Sequence, residues 1–114
     1  MVEKIYNKLV RDKIPEIIRQ DGKEPVVRIM EKAEFVSELK AKLVEESNEV
    51  ASAEDREHLI DELADVKEVL NALFATEEIT EEEVELARAA KAEKRGGFQD
   101  RLMLEKVVTE DEGA

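Results

Sequence analysis

Cysteine is absent from the 114-residue sequence, and histidine occurs once. The lack of cysteine excludes a disulfide framework and thiolate chemistry. A single histidine gives poor support to a multi-histidine zinc site or to a Ser-His triad. Any catalysis by this chain must therefore rest on carboxylates, lysines and arginines, with or without a bound metal ion.

Aromatic residues are also scarce, at 4% of the chain, although apolar residues make up 42%. A core built from Leu, Ile, Val and Ala in a chain of this size is small, and a partner subunit would complete it. We therefore expect a domain that assembles as a homodimer or a larger homo-oligomer.

Long apolar runs are missing as well. No stretch approaches the roughly 18 apolar residues that a membrane span requires. The N-terminal MVEKIYNKLVRDK lacks the apolar core of a secretory signal. These two absences predict a cytoplasmic protein with no membrane partner.

Charged residues are abundant and unbalanced. The chain has 30 acidic and 18 basic residues, which gives a formal net charge of −12 at pH 7. Because nucleic-acid phosphates would be repelled, we expect no nucleic-acid partner. The charge is typical of an acidic protein or of one that collects divalent cations.

The spacing of apolar residues predicts two long amphipathic helices in the middle of the chain. Residues 31–52 and 57–75 both carry apolar side chains at three- and four-residue intervals. The apolar stripe of the second helix consists of Leu59, Leu63, Val66, Leu70 and Leu73. Because the polar segment 53–56 between them is short, the two helices should form an antiparallel hairpin.

Two shorter helices should flank this hairpin. The first is predicted at residues 12–20, with Asp12 as N-cap, Pro15 in the first turn and Gly22 as its end. The other is predicted to begin with a capping box at Thr80 and to end at a pair of glycines.

We therefore predict an all-α fold, a helical bundle built on an antiparallel helical hairpin. A single domain should cover residues 1–108, and an acidic flexible tail should cover 109–114. The β-branched segments 25–30 and 101–108 allow a short two-stranded β element as an addition.

Two acidic pairs interrupt the apolar pattern of the central helices. Glu46 lies about 40° from the centre of its helix's apolar stripe, and Glu49 flanks it one turn further on. Glu62 and Asp65 form a matching pair on the second helix. Because both pairs are equally far from the predicted turn, the four carboxylates should meet. Their mutual repulsion predicts a divalent cation, and oxygen ligands favour Mg²⁺ or Mn²⁺.

Two other interpretations of these acids are weaker. Glutamate favours helices, and a chain with 42% charged residues contains some such pairs on ordinary solvated faces. A di-iron carboxylate bundle uses Glu-x-x-His motifs, but His58, the sole histidine, has no glutamate three residues before it.

The acidic residues also form a recognisable pattern. EESNE, which begins at Glu45, is followed after twelve residues by ELAD, which ends at Asp65. This EExxE…ExxD pattern resembles that of the MazG-like all-α nucleoside triphosphate pyrophosphohydrolases, a superfamily that includes phosphoribosyl-ATP pyrophosphohydrolase. The opening YNKLVRDKIPEII and the later KRGGF resemble a small stand-alone branch of it. The resemblance therefore covers most of the chain except the tail.

The resemblance implies a function. Glu46, Glu49, Glu62 and Asp65 would hold Mg²⁺, with Mn²⁺ as an alternative, and Glu45 would be a catalytic residue that helps to hold or activate water. The reaction would be hydrolysis between the α- and β-phosphates of a nucleotide, as in enzymes that remove unwanted nucleotides. Phosphoribosyl-ATP hydrolysis in histidine synthesis is an alternative. A catalytically silent helical oligomer that acts as an interaction module is an alternative of another class.

Two basic clusters are candidates for contacts with the substrate. Lys91 and Arg95 lie four residues apart on one helix face, and Phe98 follows them as a stacking partner for a base. The second cluster consists of Lys8, Arg11 and Lys13. The alternative interpretations are cations that complement a helix dipole and an ordinary solvated surface.

Overall fold

A computed structural model describes residues 2–110 and contains four α-helices, with no β-strand in that range. The helices are α1 (Ile14–Gln20), α2 (Lys32–Ser52), α3 (Arg56–Thr76) and α4 (Glu81–Arg95). The predicted all-α class is therefore confirmed. Residues 25–30 and 101–108 have an irregular backbone, so the β element that their composition allowed does not form.

The chain divides into two compact units, Met1–Thr80 and Glu81–Ala114. The first contains α1, α2 and α3, and the second contains α4 and the segment that follows it. Of the acidic tail predicted at 109–114, the first two residues are exposed and irregular, and the remainder lies outside the described residues. The single domain predicted for residues 1–108 stays a prediction.

Helix α1 begins two residues later than the sequence predicted. The backbone N–H of Ile14 donates to the carbonyl of Arg11 at 3.1 Å, so Asp12 lies inside a turn and does not cap the helix. Lys13 occupies the N-cap position instead, without a side-chain cap. Pro15 lies in the first turn, as predicted, where its missing N–H costs nothing.

The end of α1 matches the prediction at Gly22. This glycine has φ +77°, and its N–H donates to the backbone carbonyl of Arg19 at 3.0 Å. The next residue, Lys23, donates to Ile18 at 3.2 Å. These are the two hydrogen bonds of a Schellman motif, which requires a left-handed residue and so favours glycine.

Helices α2 and α3 form the predicted hairpin and pack against each other. Only residues 53–55 connect them, and the Asp55 carboxylate accepts a hydrogen bond from the backbone N–H of His58 at 2.8 Å. This cap satisfies one of the free amides at the start of α3. The buried residues Leu39 on α2 and Val69 on α3 form the centre of a small core.

The face of α3 that packs on α2 differs from the predicted apolar stripe. Val66 and Leu73 are partly buried beside Val69, but Leu59 and Leu63 are exposed. The packed face is therefore rotated away from Leu59 and Leu63, toward Glu62 and Asp65. Apolar periodicity alone does not distinguish the predicted face of α3 from the packed face, because apolar side chains recur every three to four residues on both.

In the second unit, α4 begins directly after Thr80 and ends before Gly96, which has φ +83°. Both boundaries agree with the capping and stop signals of the sequence. On the helix surface Arg88 donates to both carboxylate oxygens of Glu85, and these hydrogen bonds hold the pKa of Glu85 below its usual value. Among residues 2–110, no helix combines the length and apolar character needed to cross a membrane.

Candidate metal centre

The hairpin places two glutamates inside its helix-helix contact. Glu46 projects from the face of α2 that also carries Leu39, and Glu62 projects from the face of α3 that carries Val69. Their side chains are only 12% and 16% exposed. Carboxylates at such positions lose much of their hydration, so they require cations or hydrogen-bond donors nearby.

Asp65 completes a cluster of three acids. One carboxylate oxygen from each of Glu46, Glu62 and Asp65 lies within 4.8 Å of the other two. Opposite ligands of an octahedral Mg²⁺ are about 4.2 Å apart, because each Mg–O bond is about 2.1 Å long. Small side-chain rotations would therefore bring the three oxygens to bonding distance, and the Asp65 side chain, 40% exposed, leaves one side of the cluster open to solvent. The donor set fits a hard divalent cation.

The two other acids of the EExxE segment lie outside this cluster. Glu49 is exposed and does not belong to the group of oxygens that the structure brings together. Glu45 is also exposed and forms an ion pair with Lys42 at 3.5 Å. This exposure follows from helix geometry, because Glu45 lies about 100° around the helix from Glu46. The ligand role of Glu49 and the catalytic role of Glu45 stay predictions.

Each of the three clustered acids has a basic partner. On α2, the Lys42 ammonium lies 3.6 Å from Glu46, and on α3, Nε2 of His58 lies 3.2 Å from Glu62. Both are i, i+4 pairs within one helix. Two carboxylate charges 4.8 Å apart repel each other by about 3.5 kcal/mol at an effective dielectric near 20. The basic partners offset part of it, so the cluster is compatible with the folded hairpin.

Arg11 supplies the third partner from outside the hairpin. Its Nη2 donates to Oδ1 of Asp65 at 2.6 Å, across 54 positions of sequence. The contact connects the irregular N-terminal segment to α3. Arg11 was predicted as a substrate-binding residue, and the structure places it directly against a predicted metal ligand.

The two local partners carry a signal in the sequence that is separate from the apolar stripes. Lys42 precedes Glu46 by four residues, and His58 precedes Glu62 by four, which is the spacing of neighbouring side chains on a helix. The contact of Arg11 had no such signal, because no local spacing relates an irregular segment to a helix so distant in sequence.

The remaining residues of the N-terminal basic cluster are on the surface. Lys8 and Lys13 are exposed, and within residues 2–110 neither forms an ion pair. Of this cluster, the structure therefore brings only Arg11 to the acidic residues.

The second basic cluster belongs to the unit formed by α4 and its following segment. Lys91 and Arg95 are exposed on α4. Arg95 lines a surface concavity of about 450 Å³, together with residues 96–102. Phe98 borders the same concavity and is fully exposed, so it is not a core residue. A cation, a pair of glycines and an aromatic ring thus lie along one short segment.

Comparison with known proteins adds one partial similarity. No family model matches the chain, and no solved structure matches it. An uncharacterized protein of Mycolicibacterium smegmatis is 47% identical over 49 residues, which is 43% of this chain and 50% of that protein. The chain thus spans about half the length of this relative. This partial similarity indicates no activity, so a function can be inferred only from the chemistry of the site.

Proposed function

We propose that this chain is a MazG-like nucleotide pyrophosphohydrolase that uses Mg²⁺ to hydrolyse a nucleoside triphosphate to the monophosphate and pyrophosphate. The observation that supports it most directly is the convergence of Glu46, Glu62 and Asp65 between two helices. These acids belong to the EExxE…ExxD pattern from which the function was predicted. Two of them lie in the packed interface of the hairpin, where leucine or valine would give greater stability.

The roles of the acids follow from their positions. Glu46, Glu62 and Asp65 would hold the ion, and Glu49, one turn beyond Glu46, would join them after a change of rotamer. Bound Mg²⁺ supplies neutralisation of phosphate charge and acidifies a water ligand. Glu45 lies beside the cluster on the solvent side of α2, and in this proposal it accepts the proton of the attacking water.

Substrate binding requires positive charge in a chain of net charge −12. The ion provides part of it. In the second unit, Arg95 and Lys91 are the proposed cations for phosphates, and the exposed ring of Phe98 is the proposed stacking surface for a base. Lys8, Arg11 and Lys13 are the basic residues of the hairpin's own unit that are proposed to assist.

One observation favours a second candidate, a catalytically silent helical module. Each clustered acid already has a basic partner, so the cluster would also be tolerated as a purely structural network of charges. The apolar residues exposed on α3 would then serve assembly alone.

A nucleotide panel separates the two candidates. We expect pyrophosphate release from at least one nucleoside triphosphate, deoxynucleoside triphosphate or phosphoribosyl-ATP, and only with Mg²⁺ or Mn²⁺ present. Glu62→Gln should abolish it, and Glu68→Gln on the exposed side of the same helix should not. No metal-dependent turnover of any nucleotide would favour the silent module.

A further inference from the structure

The ion pair between Arg11 and Asp65 differs in kind from the other two contacts of the acidic cluster. Lys42 and His58 lie on the same helices as the acids that they meet, so their proximity follows from helix geometry alone. Arg11 comes from the irregular N-terminal segment, and its guanidinium is fixed at 2.6 Å from Oδ1 of Asp65. Both side chains are partly exposed, so the contact can open without unfolding the hairpin.

A divalent cation bound to Asp65 would lie close to the Arg11 guanidinium. Metal ligands lie about 2.1 Å from Mg²⁺, and Nη2 is 2.6 Å from an oxygen of Asp65. Two cations so close to one carboxylate repel each other, and the ion carries the larger charge. The carboxylate therefore has two competing partners, one belonging to the chain and one from solution.

We infer that Arg11 and a divalent cation compete for Asp65, so that cation binding releases Arg11 and the N-terminal segment from α3. This inference rests on the proposed metal centre and adds a residue that opposes its occupancy. In the metal-free protein Arg11 neutralises Asp65. In the metal-bound protein its charge is available on the solvent side of the site, where a phosphate would approach.

Thermodynamic linkage makes the competition measurable from both sides. If Arg11 weakens cation binding by some factor, the cation must weaken the Arg11–Asp65 contact by the same factor. Partly exposed ion pairs are modest, so removal of Arg11 should tighten cation binding about two- to five-fold.

The test is a titration of the full chain with Mn²⁺, followed by calorimetry or by the electron paramagnetic resonance of the free ion. Arg11→Gln removes the competing cation, and Lys8→Gln is the matched control. Lys8 lies three residues earlier in the same exposed segment and forms no ion pair within residues 2–110. We expect Arg11→Gln to bind Mn²⁺ two- to five-fold more tightly than Lys8→Gln, with circular dichroism unchanged in both.

A second measurement follows the segment itself. In the wild type, saturation with diamagnetic Mg²⁺ should shift the backbone amide resonances of residues 8–13, and in Arg11→Gln these shifts should largely disappear. Equal Mn²⁺ affinities of Arg11→Gln and Lys8→Gln, or weaker binding by Arg11→Gln, would overturn the competition while leaving the metal centre intact. No Mn²⁺ binding by the wild type would overturn both.

Discussion

Glu62 lies close to two other carboxylates, those of Glu46 and Asp65, in the packed interface of the hairpin. Glu62→Gln removes one negative charge from this cluster without changing the shape of the side chain. In the absence of metal, we expect the free energy of unfolding to rise by about 0.5–1 kcal/mol, the size of one partly exposed charge interaction. Thermal unfolding at pH 8 in a chelator measures this change.

Magnesium should reverse the order of stability. The wild type should gain about 2.7 kcal/mol when free Mg²⁺ is 100 times its Kd, because only the folded hairpin assembles the ligands. Glu62→Gln should gain far less, and Glu68→Gln should behave as the wild type. Equal stabilisation of the wild type and Glu62→Gln by Mg²⁺ would remove Glu62 from the site.

Arg95 tests the proposed phosphate contacts of the second unit. If Arg95 only complements the dipole of α4, Arg95→Ala should cost some tenths of a kcal/mol in stability and leave catalysis unchanged. If it binds the triphosphate, kcat/KM should fall ten-fold or more, since a charge-assisted hydrogen bond contributes about 1.5–3 kcal/mol. Steady-state kinetics on the best substrate of the panel decides between these outcomes.

The control for Arg95 is its neighbour Lys94. Lys94 is exposed on α4 but lies off the face shared by Lys91 and Arg95. If Lys91→Ala, Lys94→Ala and Arg95→Ala all have small, similar effects on kcat/KM, the three residues only complement the dipole at the end of α4.

The end of α3 carries a strained residue. Glu78 has φ +55°, and the next residue, Ile79, donates its N–H to the carbonyl of Phe74 at 2.9 Å. This is the geometry that Gly22 adopts after α1, but here a residue with a side chain occupies the left-handed position. We expect Glu78→Gly to raise the free energy of unfolding by about 0.5–1 kcal/mol, because the relief of strain exceeds the added entropy of the unfolded chain.

The neighbouring residue provides the comparison for this substitution. Glu77 has φ −93°, which any residue adopts without strain. Glu77→Gly should therefore lower stability by about 0.5–1 kcal/mol. Urea unfolding of both variants measures the two changes, and a loss of stability in Glu78→Gly would show that the turn is not strained.

Helix boundaries followed from the sequence where a local rule fixed them. The glycines after α1 and α4 and the apolar spacing of α2 and α3 predicted those elements closely. The N-cap of α1 was predicted wrongly. An aspartate three residues before a proline is typical of an N-cap, but Asp12 lies inside a turn that precedes the helix. The β-branched composition of 25–30 suggested a strand, but a strand needs a partner that composition does not identify.

At the scale of the whole molecule, the acidic cluster could be predicted from the sequence. The three-residue spacing of each acidic pair and the position of the hairpin turn are enough to determine where the acids lie. Four carboxylates were predicted to meet, and the structure brings Glu46, Glu62 and Asp65 together but not Glu49. The contact of Arg11 depends on the path of an irregular segment, which no periodicity describes. The exposure of Leu59 and Leu63 was not predicted for a related reason. It depends on which face of α3 packs against α2, and apolar spacing does not determine that face.

That exposed row leads to a prediction about assembly. Leu59, Ile60 and Leu63 are 39%, 50% and 48% exposed, and they cover about 100° of the surface of α3. Within the described residues, Leu39 and Val69 are the only buried apolar residues, at 3% and 8% exposure, which is little for a stable domain. We expect a homodimer or larger homo-oligomer at micromolar concentration, with this row of α3 at the interface.

Leu63→Glu should convert the assembly to monomers, because full burial of a leucine contributes about 1.5–3 kcal/mol and a dimer loses two of them. Val44→Glu is the matched control: Val44 is 62% exposed on α2, opposite the hairpin contact, with no second exposed large apolar side chain on that helix. It should leave the assembly unchanged. Light scattering of the wild type and both variants measures their masses. A monodisperse wild-type monomer would contradict assembly altogether, and an unchanged mass for Leu63→Glu would place the interface on another surface.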